Sequence, residues 1–288
     1  NLSAVQYPDL AQRSYHYESA AFPRALTGIT DENGARWATF EYDSAGRAVR
    51  SALAGGAQSS TVFYYTNGAR DVLDGVGNYQ RYGFALIQGV DRRTSLGSTC
   101  TACGYGTTTT AYSTSGYVSG LADGRGVQTT FVRDARGLET SRTEAVGTTE
   151  ARTITTTWHS TFRLPLTITR PGRSTSFTYD SAGRMLTRTE TDAVSGATRR
   201  WTHTYNSQGL LATVDGPRAD VADTTTYSYS PQGNLASVTN ARGQVTQYTA
   251  YDPHGRLLSM TDPNGLITAF TYDLRGRPLT RNVGGQLT

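Results

Sequence analysis

Short runs in which aromatic and aliphatic residues alternate with Thr and Ser set the pattern of this chain. In Thr175-Ser176-Phe177-Thr178-Tyr179, and again in Leu266-Ile267-Thr268-Ala269-Phe270-Thr271-Tyr272, every second residue falls on a common face. Leu266, Phe270 and Tyr272 share one parity, while Thr271 points the other way. A period of two in short segments rich in aromatic and β-branched residues is the mark of a half-buried strand. Turn signals bound the runs: Asp252-Pro253-His254-Gly255, then Asp262-Pro263-Asn264-Gly265, then Asp273-Leu274-Arg275-Gly276. Asp at position i, Pro at i+1 and Gly at i+3 suit a type I turn. Strands of about seven residues, roughly 23 Å long, are therefore predicted to pair antiparallel in a meander. No window sustains apolar residues at i, i+3 and i+4, so the predicted class is all-β.

The turns belong to a longer repeat, aromatic-Asp/Asn-x-x-Gly-Arg. It reads in full at Tyr42-Asp43-Ser44-Ala45-Gly46-Arg47, Tyr179-Asp180-Ser181-Ala182-Gly183-Arg184, Tyr251-Asp252-Pro253-His254-Gly255-Arg256 and Tyr272-Asp273-Leu274-Arg275-Gly276-Arg277. Degenerate copies begin at Tyr112, Arg133, Tyr205 and Tyr229. With the Asp slot as a ruler, the marks fall at Asp43, Thr66, Ser113, Asp134, His159, Asp180, Asn206, Ser230, Asp252 and Asp273. The 47 residues from Thr66 to Ser113 leave room for two weaker units. About eleven units of roughly 21–26 residues then fill residues 1–288 as one array of two-strand, two-turn repeats, with no stretch left for a second domain. Gly183 and Gly255, at turn ends, are expected at positive φ.

Composition adds two points. A hydrophobic share of 36% is low for a thick core and suits a sheet with one apolar and one wet face. The formal charge is +4, and all 27 basic residues are Arg. They are dispersed: the densest clusters are the pairs Arg92-Arg93 and Arg199-Arg200, short of the basic stripe that a nucleic-acid binder needs. Neither specific nucleic-acid binding nor a membrane span is expected, since nothing approaches 18 consecutive apolar residues. Arginines that follow a turn Gly, namely Arg47, Arg184, Arg256 and Arg277, are expected to bond turn carbonyls or stack on a neighbouring Tyr.

Candidate chemistry is sparse. Cys100-Thr101-Ala102-Cys103 lacks the second ligand pair of a structural zinc site. Its Gly/Thr surroundings offer no helix for a redox site, so the two thiols are expected free or joined in a local disulfide outside the cytoplasm. His16, His159, His203 and His254 are scattered. The turns Asp31-Glu32-Asn33-Gly34 and Asp262-Pro263-Asn264-Gly265 lack the acidic spacing of a calcium loop, and turn chemistry accounts for them. There is no Gly-x-Ser-x-Gly and no His in a catalytic neighbourhood. No catalytic, cofactor or metal residue is assigned, and no enzyme is expected. The 18 tyrosines admit two readings. Exposed rings could stack on sugars; rings at a fixed strand end could cover neighbouring strands while their hydroxyls reach a partner.

The motif copies resemble the YD repeats of the bacterial Rhs (rearrangement hotspot) family, whose distant relatives include the teneurins. The likeness is strongest from Trp158 to Gly285, moderate over residues 1–66 and weak over 69–111. The resemblance implies a curved β-strip that spirals into a shell with an aromatic-rich inner face. Such a cocoon encloses a C-terminal toxin for delivery in interbacterial competition, often by type VI secretion. Implied partners are the enclosed toxin domain, the remaining Rhs repeats of the parent chain, and a secretion-system spike or immunity protein. The implied location is secreted or cell-surface, after export from a bacterial cytoplasm. The family's Arg-Tyr-Tyr-Asp-rich core signature and its N-terminal delivery module are not found, so no cleavage or toxin activity is carried over to any residue. The chain starts at Asn1 and stops mid-pattern at Thr288, and is read as a piece of a longer polypeptide. The alternative function is a surface adhesin or carbohydrate-binding repeat.

Overall fold

The computed structural model describes residues 1–98 and 106–287. They form two units, Asn1–Val132 with Arg142–Arg152, and Arg133–Ser141 with Thr153–Thr288. The class is all-β: strands of two to nine residues follow one another, and a single 3-10 turn at Ala54–Gly56 is the only helical piece among the described residues. Every pairing described is antiparallel and joins strands adjacent in the chain, for instance Arg36–Tyr42 with Ala48–Leu53 in the first unit. In the second unit Arg173–Tyr179 pairs with Met185–Asp192, and that strand with Thr198–Tyr205. The same order runs on through Ile267–Tyr272 and Pro278–Val283. Cys100 and Cys103 lie outside the described residues.

Each hairpin that closes at the repeated motif carries a bulge at its Tyr. Thr178 faces Thr187, but Tyr179 faces Met185, so one residue of the return strand is left over. The same slip occurs at Tyr42, Tyr205, Tyr229 and Tyr272. A bulge bends its strand and increases local twist.

The predicted alternation holds along the strands. In Ile267–Tyr272, Thr268, Phe270 and Tyr272 are buried or half-buried, and Ile267, Ala269 and Thr271 are exposed. Leu266 shares their parity yet is 44% exposed, because it sits at the turn rather than under the sheet. One face of the second unit thus presents Phe177, Trp201, His203, Tyr227, Tyr248, Met260 and Phe270, all half-buried. The opposite face carries paired hydroxyls: Thr157 with Thr167, Thr178 with Thr187, Thr204 with Thr213, Ser228 with Ser237 and Thr271 with Thr280, each at 2.6–2.7 Å. Cross-strand hydroxyl pairs of this kind support a sheet face that has no apolar cover.

Few apolar side chains among the described residues are sealed from solvent. Only Ala38, Ala52 and Leu138 are buried hydrophobic residues among those described. The chain exposes 18241 Å², against about 12,000 Å² for a compact globule of its mass. Stability in such a single-layer sheet must come from strand pairing and turn closure rather than from a sealed interior.

One ruler mark is corrected. Thr66 does not occupy the Asp slot; the turn closes from Tyr65, whose N–H donates to Ala69 O while Gly68 N–H donates to Tyr65 O. Tyr64 is the strand-end ring, and its hydroxyl donates to Ala48 O at 2.8 Å. The Tyr65 hydroxyl instead donates to buried Asp71, which also accepts both arms of the Arg81 guanidinium at 2.6 and 2.7 Å. Two adjacent tyrosines hid the register.

Candidate functional site

The repeated motif closes on itself through five residues. Asp180 N–H donates to Arg184 O at 2.9 Å, and Gly183 N–H donates back to Asp180 O at 3.0 Å. This is a type I turn followed by a left-handed residue, with φ of +81° at Gly183 and +78° at Gly255. Asp180 Oδ1 accepts the N–H groups of Ala182 and Arg184, both at 2.9 Å, and Oδ2 accepts Arg184 Nε at 2.7 Å. The same bonds recur at Asp43, Asp252 and Asp273. One carboxylate therefore satisfies two loop donors and holds the arginine that follows.

Where the motif degenerates, an acceptor survives. Asn206 Oδ1 takes Gln208 N and Leu210 N, and Ser230 Oγ takes Asn234 N. His159 Nδ1 accepts Thr161 N at 3.1 Å and Phe162 N at 3.2 Å. His159, singled out as a scattered histidine, is thus a turn cap. The turns at Asp31 and Asp262 are built alike, with Asp31 Oδ1 bound by Asn33 N and Ala35 N, and Asp262 Oδ1 by Asn264 N and Leu266 N.

Each motif also reads its neighbour. The hydroxyl of Tyr179 donates to Pro165 O, Tyr205 to Met185 O, Tyr251 to Leu235 O and Tyr272 to Leu257 O, at 2.8–2.9 Å. Trp158 holds the same slot and donates Nε1–H to Glu139 O at 2.8 Å. The guanidinium of Arg184 lies 4.8 Å from the ring centroid of Tyr205 in the next motif, and that of Arg256 lies 5.0 Å from Tyr272. A Cβ on Gly209 or Gly276 would fall 2.8 Å from the Nη1 of the same two arginines. Carboxylate, arginine, next glycine and next tyrosine thus form a ladder along the strip. The expected stacking on Tyr is found for Arg47, Arg184 and Arg256; of the expected bonds to turn carbonyls Arg256 shows one, to Asp273 O at 3.5 Å, and the main polar partner of the four arginines is the Asp carboxylate.

Electrostatics follows from this geometry. The Arg N–H that closes each loop is the chief reason that Asp43, Asp180 and Asp273 are held below the usual carboxylate range, with the guanidinium adding to it. A carboxylate with a lowered folded-state pKa contributes stability that is complete above the unfolded value of about 3.9 and is lost as pH falls through the folded value. Thermal stability is expected to stay level down to about pH 5 and to drop below about pH 4. A melting temperature unchanged into strong acid would show that the turn carboxylates contribute nothing.

The remaining candidates stay apart. His16 Nε2 is 2.7 Å from Thr30 Oγ1, His203 lies on the apolar face with Nδ1 buried and unpartnered, and His254 sits in the Asp252 turn. No group of three His, Cys, Asp or Glu that could hold a metal occurs among the described residues. None of their helices is long and apolar enough to cross a membrane. Sequence reasoning missed one cluster: Arg170, Arg173, Arg188 and Arg199, spread over 30 residues, meet on one face of four adjacent strands. Strand parity combined with register would have found it.

Comparison with known proteins fits this architecture. The family model for the RHS repeat matches residues 251–287. No curated protein matches the chain. Among solved structures, a crystal structure of TcdB2-TccC3-Cdc42 aligns with a TM-score of 0.69 and 15% identity, over 94% of this chain and 15% of that one. A crystal structure of TcdB2-TccC3 aligns at 0.66 and 13%, over 96% and 17%. The Tc holotoxin pore of Photorhabdus luminescens with the TccC3 mutation D651A aligns at 0.54 and 14%, over 95% and 17%. The chain thus spans about a sixth of the length of these structures, and the likeness is one of fold. Residues 251–287 thus carry an RHS repeat, and the motif and turn chemistry found there recur along the chain at Asp43 and Asp180.

Proposed function

We propose that this chain is a wall segment of an Rhs shell, a scaffold rather than a catalyst, that helps to enclose a toxin carried by the same polypeptide. The observation that carries the reading is the uncovered aromatic face of a single-layer sheet. A face with Phe177, Trp201, Tyr227, Tyr248 and Phe270 half-buried needs further protein against it, because large apolar patches on a lone soluble chain are rare. A wall built this way holds its contents through many weak contacts and excludes proteases from the interior. Its partners are the remaining repeats of the parent chain, residues 1–288 being one stretch of that array, and the cargo they surround. A secretion spike or immunity protein, type VI export and interbacterial competition complete the proposal. The TccC3-containing neighbours, one of them a Tc holotoxin pore, support it by fold.

Limited proteolysis of the parent polypeptide, followed by size exclusion and mass spectrometry, tests the reading. The cargo is expected to survive protease and to co-elute with residues 1–288. Immediate digestion of the cargo beside intact repeats would overturn it. The glycan-binding alternative draws little from the strand-end tyrosines, whose hydroxyls are already donated to backbone carbonyls. A glycan array on the isolated chain decides that point, since a wall segment should retain no specific sugar.

A further inference from the structure

Four arginines share one face of the strands Pro165–Arg170, Arg173–Tyr179, Met185–Asp192 and Thr198–Tyr205, with Arg170, Arg173 and Arg199 toward one end and Arg188 in mid-strand. Register puts them on the apolar face. Arg170 lies opposite Arg173, Thr175 opposite Glu190, Glu190 opposite Arg199, and Arg188 opposite both Phe177 and Trp201. Arg200, next in sequence to Arg199, faces Thr189 on the hydroxyl side.

The carboxylates within this cluster are already engaged. Glu190 is paired with Arg173 at 3.5 Å and with Arg188, whose guanidinium also lies 4.6 Å from the ring centroid of Trp201. Asp192 Oδ1 accepts the N–H groups of Val194 and Ser195 and the Ser195 hydroxyl, capping its own turn. Arg170 and Arg199 are exposed, and their guanidinium groups make no hydrogen bond or ion pair. Arg170 and Arg173 also confront each other across a two-residue turn, an arrangement that destabilises a hairpin because like charges sit directly opposite. A sheet that keeps this repulsion beside Phe177 and Trp201 holds a surface short of negative charge.

The geometry points to a docking surface for an acidic, extended segment of another polypeptide, with carboxylates taken by Arg170 and Arg199 and an apolar side chain laid on Phe177 and Trp201. Guanidinium groups bind carboxylates in bidentate fashion, and here the rings beside them would exclude water from the pair. Arg170 and Arg199 stand three strands apart and, because Arg199 is level with Ile168, two residues apart along the strands, about 16 Å between backbones and within reach of two long side chains from a shorter ligand. Residues i and i+4 of an extended chain are about 13 Å apart and point the same way. The fitting ligand is therefore a strand-like sequence with acidic residues at i and i+4 and an apolar residue at i+2. The inference stands on the cluster alone and does not depend on enclosure of a toxin.

The test uses a fluorescein-labelled peptide of sequence Glu-Thr-Leu-Thr-Glu, followed by polarisation on the purified chain. Binding is expected at low salt and should weaken as ionic strength rises, since exposed charges are screened over about 10 Å at 0.1 M. Arg170→Glu with Arg199→Glu should weaken binding at least about tenfold, whereas Arg200→Glu, the same charge change on the other face, should leave it within about twofold. Circular dichroism checks that all variants fold. Equal loss in Arg200→Glu would reduce the effect to net charge and overturn the proposal. So would absence of binding by the parent chain, or equal competition by polyphosphate, which would make the surface a sink for any polyanion.

Discussion

A Gly183→Val chain is expected to melt roughly 5–10 °C below its parent, at about 2–4 °C per kcal/mol for a chain of this size. Gly183 has a φ of +81°, where a residue with a Cβ is strained by about 1–3 kcal/mol and a β-branched one most of all. A Cβ there would lie 3.5 Å from Phe162 Cε2 and from Leu164 Cδ1, in ordinary contact, so the γ-methyls of valine add crowding on that side. Gly183→Ala separates the two effects, because its Cβ makes ordinary contact and leaves only the backbone strain. Valine should therefore be the worse of the pair when both are followed by circular dichroism. Native spectra and unchanged melting in Gly183→Val would sink the claim that this turn depends on glycine.

Removal of a ladder ring should rival that loss. Tyr205→Ala deletes a half-buried ring, its hydrogen bond to Met185 O and the face on which Arg184 rests. Deleting a fully buried aromatic costs about 3–5 kcal/mol, so about 2–3 kcal/mol is expected at this half-covered site. Tyr205→Phe keeps the ring and the cation stack and loses only the hydroxyl bond, which contributes about 1 kcal/mol. Denaturant melts of the three chains should rank them in that order. If Tyr205→Phe were as damaging as Tyr205→Ala, the hydroxyl rather than the ring would carry the ladder. If neither moved the midpoint, neighbouring repeats would not be coupled through this residue.

The glycine variant acts on a feature that local sequence made plain. The five-residue turn is legible because all its bonds lie within it: Asp, Gly and Arg at fixed offsets leave little choice of conformation. Strand parity was legible for the same reason, and it failed only at Leu266, where the run meets a turn. What stayed hidden depends on which strand lies next to which. The Tyr-to-carbonyl bonds span 14–20 residues, and although stacking on a Tyr was expected of Arg184, that the ring is Tyr205 follows only from the register of two intervening strands. At Tyr64-Tyr65 two identical residues offered two registers, and only the hydrogen bonds decided between them. The arginine cluster looked dispersed because parity sends Arg199 and Arg200 to opposite faces while pairing brings Arg170 and Arg188 to the first of them.

The two margins of the second unit obey different rules of length. On the tyrosine side, Tyr179 faces Met185, Tyr205 faces Leu211, Tyr229 faces Leu235, Tyr251 faces Leu257 and Tyr272 faces Pro278, always six positions on. On the other side the closing pairs Arg170 with Arg173, Thr191 with Thr198, Val214 with Thr225, Thr239 with Val245 and Thr261 with Ile267 are three, seven, eleven, six and six positions apart. The first margin varies least: only where Trp158 faces Pro165 is the step seven, and at Gly209 and Gly276 the arginine of the preceding motif leaves no room for a Cβ. A foreign loop or epitope spliced at 217–222 should leave the strip intact, while one added residue between Asp180 and Gly183 should break the carboxylate cap of that turn. Such a strip can diversify along one border while the other keeps count.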